Sequence, residues 1–189
     1  MAVLAVLRSA RLWLALVVLI VLIGAAAPIS AQDQQESIEA EVRAVYLYNF
    51  ARYITWPDAA FPNAQTPVRI CVQGSASFGD ALDRAVAGET VNGRALEAVR
   101  LRESDSPQGC HILYVALSEA RRLPALLATV KSRPVITVGS HDRFLDHGGM
   151  IRFRRVDNRV RFDINLTSLE SSGLRVSARL LGVAADVRR

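Results

Sequence analysis

Two apolar runs, CHILYVAL (110–117) and PVITVG (134–139), stand on either side of SEARRLPALLATVKS (118–132), and that arrangement leaves the chain little freedom. Neither run alternates with polar residues, so each reads as a strand covered on both faces, the pattern of a central parallel strand. The segment between them reads as a helix capped by Ser118. Two strands joined through a helix lie side by side in parallel, by a right-handed crossover. Upstream, VRICVQG (68–74) and RALEAVRL (94–101) read as further strands, with SASFGDALDRAVAG (75–88) between them as a helix ended by Gly88. The pattern predicts an α/β fold: a single domain with a mostly parallel central sheet flanked by helices.

The C-terminal part changes character. GGMIRFRRVDNRVRFDINL (148–166) contains two alternating runs around Asp157 and Asn158, a pair suited to a two-residue hairpin turn. That turn sets the register of an antiparallel hairpin. Ile151 faces Ile164 and Phe153 faces Phe162 on a core side, while Arg152 faces Asp163 and Arg154 faces Arg161 on a polar side. Like charges directly across a sheet are destabilising by roughly a few tenths of a kcal/mol, so Arg154 and Arg161 need an account. With Arg152 and Arg159 they form a basic face, either solvated arginines guarding an edge or a docking surface for an acidic partner. On the docking reading, removing Arg154 leaves the isolated protein as stable or slightly more so. The remaining SLESSGLRVSARLLGVAADV reads as helix with a break near Gly173.

Ahead of the sheet, an amphipathic helix is expected from about Ile38 until Pro57 forbids it. At roughly 100° per residue, Val42, Tyr46, Phe50 and Tyr53 share a core stripe flanked by Leu47 and Ile54. Tyr48 falls on the far face with Glu41, Ala44 and Arg52, and Trp56 lies beyond the last turn. An exposed Tyr and Trp beside an Arg is the composition of an interface hot spot. The other reading of Trp56 is a lid folded back over the core.

The first 31 residues read as a secretory signal. Arg8 and Arg11 precede the apolar run LWLALVVLIVLI (12–23), and the small residues of GAAAPISA follow. A cut after Ala27 would leave Pro28 behind the scissile bond, so cleavage is expected after Ala31, with the mature domain at 32–189. The charge-free run from Leu12 to Ala27 is 16 residues, short of the ~20 that span a bilayer. Export implies an oxidising compartment. The two cysteines, Cys71 and Cys110, then either bridge, closing a loop of about 40 residues worth ~4 kcal/mol, or stay as buried thiols. Losing Arg8 and Arg11 lowers the formal charge from +5 to +3, since every acidic residue lies beyond position 31. A basic surface outside the cytoplasm suits acidic partners or lipid headgroups, and no nucleic acid is expected.

Catalytic patterns are missing. No nucleophile elbow is present, and GSASFG carries its glycines at the wrong spacing for a phosphate-cradling loop. GSHDRFLDHGG (139–149) gathers His141, Asp142, Asp146 and His147, but their spacing matches no zinc pattern. It reads as a solvated loop, with no metal or cofactor expected. His111 reads as a structural histidine. A small-molecule binder or enzyme using the 140–147 loop is the alternative function.

YLYNFARYITWP, CVQG, CHILYV, ITVG, GGMIRF and RFDINL, in this order, resemble the YfiR family of periplasmic proteins from about Glu39 to Val187. The resemblance implies a non-enzymatic α/β domain in the periplasm. Such a protein binds the periplasmic sensor domain of an inner-membrane diguanylate cyclase, represses it and lowers cyclic di-GMP. It also implies an outer-membrane lipoprotein that relieves repression and, for some members, a sensor kinase as the partner. Cys71 and Cys110 lie in fragments similar to the family's bridged strands, which implies a disulfide. The second cysteine pair of some members is absent. Tyr48, Arg52, Trp56, Arg152, Arg154 and Arg161 are the candidate partner-binding residues, and the protein is expected to be either a homodimer or partner-bound.

Overall fold

The β-α-β alternation does build a parallel sheet. The computed structural model describes residues 31–189 apart from 77 and 79, so the signal segment, but for Ala31, lies outside the described residues. Glu36–Arg189 forms one compact unit. Helix α1 (Ala31–Tyr53) leads into a two-residue strand, β1 (Ile54–Thr55). The sheet strands are β2 (Val68–Gln73), β3 (Thr90–Val91), β4 (Arg94–Leu101), β5 (Ile112–Val115), β6 (Ile136–Gly139), β7 (Ile151–Val156), β8 (Arg159–Asn165) and β10 (Asp186–Arg188). Their spatial order is β10-β8-β7-β6-β5-β2-β4-β3. From β4 through β7 every neighbour is parallel. The β7–β8 hairpin is antiparallel, and β10 runs parallel to β8 at the outer edge.

Side chains alternate across this sheet, and both faces of its central strands β5 and β6 are dry. Ile70, Val72, Ile112, Tyr114, Ile136 and Val138 enter one core, while Cys71, Leu113 and Val115 enter the other. The first core is covered by α1 and by α2 (Ala81–Val86) through Leu82 and Val86. It is completed by α4 (Leu166–Ser171) and α5 (Ala178–Val183), through Leu166, Leu169 and Leu180. The second is covered by α3 (Leu123–Val130), which buries Leu123, Leu126, Leu127 and Val130. Burial on both faces is why the central runs show no polar alternation.

The hairpin register is the expected one. Ile151 pairs with Ile164, Arg152 with Asp163, Phe153 with Phe162 and Arg154 with Arg161. Asp157 and Asn158 both have positive φ, 48° and 56°, the conformation a twist-matched two-residue turn requires.

Three expectations are corrected. The helix expected over 75–88 is confined to Ala81–Val86. The one expected over 118–132 is a 3-10 turn at Leu117–Glu119 followed by α3, and the Ser118 hydroxyl accepts the Ser75 N–H instead of capping it. Finally, α1 is rotated relative to the expected stripe: Ala40, Ala44, Leu47, Phe50, Ala51 and Ile54 are buried, while Val42 is 37% exposed. The alanines explain the rotation, because small side chains let the helix axis approach the sheet. Tyr46 moves to the rim, where its ring meets Phe50, Phe153 and Phe162 at 5.2–6.1 Å between centroids. The helix also ends before Pro57, since Ile54 and Thr55 pair antiparallel with Val176 and Arg175 of β9 (Arg175–Val176).

Candidate interaction surface

The rotation of α1 brings Val42, expected in the core stripe, onto an outer face of the helix. Ile38, Val42 and Val45 are 51%, 37% and 51% exposed, and their spacing aligns them with Asn49 and Arg52 along one side of the helix. Arg52 is exposed on that line, and its guanidinium sits 5.5 Å from the centre of the Tyr48 ring and 6.0 Å from that of Tyr53. Beyond Tyr53 a groove of about 180 Å³ runs to α5, lined by Tyr46, Asn49, Arg179 and Val183, the last 55% exposed. The missed signal was the pair of alanines at 44 and 51, which mark the inner face better than the bulky residues do.

Tyr48 and Arg52 are therefore neighbours, but Tyr48 lies on the flank of this face. It is half-buried and packs against the core edge. Its hydroxyl donates to Glu89 Oε2 at 2.8 Å, and that bond holds its pKa above the ordinary value, with the charge of Arg52 opposing. Trp56 does not join the surface. It is buried at 8% exposure, edge-on to Phe61 and His111 with centroids 6.4 and 6.1 Å away. The lid reading holds, so Trp56 is corrected from partner contact to core.

That lid has a polar hinge. The His111 ring stacks on Phe61 at 4.4 Å. Its Nδ1 accepts the Arg69 N–H at 3.1 Å, and its Nε2 faces the Ala60 carbonyl at 3.3 Å. Those partners select the neutral ring protonated on Nε2. Burial pushes its pKa down first, the bond to Ala60 opposes, and the charges of Arg69 and Arg94 add to the depression. Arg94 lies 4.0 Å from the Phe61 ring centre and donates to the carbonyls of Asn63, Ala64 and Thr66.

On the hairpin, like-charge opposition is resolved internally. Arg152 donates to Asp163 at 2.6 and 3.2 Å, and Arg154 reaches diagonally to the same carboxylate at 2.8 Å. Asp163 is buried. Arg152 and Arg154 are thus half-buried clamps on one acid, which corrects their expected role as free docking charges. Glu39 of α1, also buried, is held in the same manner by Arg43 and by Arg155. Arg159 and Arg161 remain exposed on the hairpin's polar side.

Cys71 and Cys110 form a disulfide joining β2 to the entry of β5. Both are buried. The 139–149 loop does not bring its polar residues together. His141 turns inward to stack on Phe144, burial lowers its pKa, and neither ring nitrogen has a protein partner. Asp142, Asp146 and His147 stay exposed, and among the described residues no group of three or more potential ligands could hold a metal ion. The loop is anchored by Phe144, whose ring lies against Gly139 and Gly149 so closely that a Cβ on Gly139 would fall 2.5 Å from it.

A family model described as YfiR/HmsC-like matches residues 40–185 of the chain. Among solved structures, a conserved domain protein from Vibrio cholerae O1 biovar eltor is similar, with a TM-score of 0.48 and 12% identity. That similarity covers 64% of this chain and 54% of the other, so the chain spans about half that protein's length.

Proposed function

The chain belongs to the YfiR/HmsC-like family of periplasmic regulators of cyclic di-GMP signalling, and from that premise we propose that it represses a membrane diguanylate cyclase by direct contact. The protein is exported through its first 31 residues, is not an enzyme, and acts on the cyclase's periplasmic domain. Among the described residues no helix is long and apolar enough to cross a membrane. The observation that carries the docking is the outer face of α1, where Ile38, Val42 and Val45 leave water only when something covers them. An amphipathic helix face of this kind suits an apolar groove on the partner. Arg52 at one end supplies a cation beside two aromatic rings, the composition of an anchoring contact. Arg159 and Arg161 add a positive field that draws an acidic partner in. An outer-membrane lipoprotein that relieves repression would compete for the same face.

Titration of the protein against the periplasmic domain of a cyclase encoded beside it tests the proposal. Val45→Asp is expected to weaken binding at least tenfold while leaving the melting temperature unchanged. Full affinity in that variant overturns the assignment of the face. If Val45→Asp instead converts a dimer to a monomer with no effect on cyclase binding, a second copy of the chain occupies the face.

A further inference from the structure

A pocket of about 420 Å³ opens between the end of α3, the 146–148 loop and α4, lined among others by Lys131, Ser132, His147, Ser168 and Ser171. Its size suits a small metabolite. Lys131 is the one lysine among the 23 Lys and Arg residues of the chain. It caps the C-terminal end of α3, where a cation complements the helix dipole, but the arginine used everywhere else in this chain would serve that purpose equally. Lysine differs in offering a compact ammonium with three rotatable donors.

Ser132, the next residue, has φ of +59°. The Arg133 N–H bonds to the Val130 carbonyl across this turn, and its third position ordinarily takes glycine. A hydroxyl kept where the backbone disfavours any side chain is the kind of strain found at ligand clamps.

The local charges leave these groups unspent. Asp146, the pocket's carboxylate, is already bound by Arg188 at 3.3 Å and lies 3.9 Å from Arg143. Lys131 makes no ion pair among the described residues, and the Ser132 and Ser168 hydroxyls have no hydrogen-bond partner there. By contrast, the neighbouring Thr129, Ser171 and Ser172 hydroxyls each donate to a backbone carbonyl.

We propose that this pocket binds a small anionic ligand whose carboxylate or phosphate group is held by Lys131, Ser132 and Ser168. The assignment is independent of the docking face on α1 and adds a small-molecule input to it. Because Lys131 is the sole lysine, an amine-reactive ester modifies it and the N-terminus alone, and peptide mass spectrometry reads the two separately. Inorganic phosphate, malonate and chloride are compared at equal ionic strength. Phosphate or malonate is expected to slow acylation of Lys131 at least threefold without protecting the N-terminus. Protection by phosphate alone identifies a phosphorylated ligand, and protection by malonate alone a carboxylate one. Lys131→Ala is expected to lose any thermal shift that the protecting anion gives the wild type. Ser132→Gly is expected to melt higher, since its turn is relieved, and yet to bind the anion less tightly. Equal acylation rates in all three salts, or an anion-induced shift that persists in Lys131→Ala, overturn the proposal.

Discussion

Asp163 and Arg152 face each other across the β7–β8 hairpin, and the buried Asp163 carboxylate also takes a bond from Arg154, two residues along the same strand as Arg152. One acid thus holds two guanidinium groups, a cluster of net charge +1, and gives Arg154 an attractive partner that offsets its repulsion from Arg161. Asp163→Ala is expected to cost about 3–5 kcal/mol, because it strands two cations, one of them largely buried. Arg154→Ala is expected to cost about 1 kcal/mol, discounted for its partial exposure. That sign is opposite to the one the hairpin register alone suggests. Urea melts of the two variants check both values.

His111 makes stability depend on pH. Its folded pKa lies below the ordinary 6.5, so the unfolded chain binds the proton more readily than the folded one and stability rises with pH. The contribution is fully present above about pH 6.5 and is lost as pH falls toward the folded value. Protonation also removes Nδ1 as the acceptor of the Arg69 N–H. The melting temperature is expected to be level above pH 7.5 and to fall between pH 6.5 and 5, with a shallower fall in His111→Gln. Identical slopes in both proteins would assign the acid sensitivity to other groups, His141 first.

What the sequence made legible follows from how local each signal is. The hairpin register was readable to the residue, because strict alternation and a two-residue turn leave one pairing that buries Phe153 and Phe162 together. The parallel strands were readable from apolar runs buried on both faces. The diagonal from Arg154 to Asp163 was not, since register fixes only the directly opposed pairs and a long side chain reaches further. The orientation of α1 was not legible either, because the alanines that touch the sheet carry a weaker apolar signal than the bulky residues beside them. Strands as short as β1, β9 and β10 carry no periodicity at all. The pocket beside Lys131 was only half visible, since its lining comes from segments far apart in the chain.

The orientation of α1 is directly testable. Phe50, fully buried among Tyr46, Phe153 and Phe162, is expected to cost about 3–5 kcal/mol on truncation to Ala. Val42→Ala is expected to stay within about 0.5 kcal/mol of wild type as a surface change. Ala44→Leu, which forces a larger side chain between helix and sheet, is expected to lose about 1–3 kcal/mol. A costly Val42→Ala with a neutral Ala44→Leu would return the helix to the stripe its bulky residues suggest.

The disulfide closes a loop of 39 residues of sequence separation, which the chain-entropy model values at ~4 kcal/mol. Denatured but unreduced protein is expected to show no reactive thiol. Because Cys71 and Cys110 are 1% and 5% exposed, reduction of the native protein is expected to be slow and to accelerate in moderate urea. Two thiols titrated without reductant, or unchanged stability in Cys71→Ala/Cys110→Ala, would contradict a stabilising bridge.

The outer face of α1 and the hairpin's polar side differ in the binding rate each would control. On the proposed docking mode the apolar face of α1 would hold the complex together by excluding water, so Val45→Asp should act on dissociation and raise the off-rate at least tenfold, about 1.4 kcal/mol. Arg161 is exposed on the hairpin's polar side, where Arg154 has already turned to Asp163. A charge in that position steers an acidic partner at a distance and is screened within about 8 Å at physiological salt. Arg161→Ala should therefore slow association, flatten its dependence on salt, and leave both the off-rate and the melting temperature as they were. Measuring both rates against the cyclase's periplasmic domain at two salt concentrations decides the matter. If Arg161→Ala raises the off-rate and Val45→Asp does not, the hairpin is the contact itself and the outer face of α1 is not.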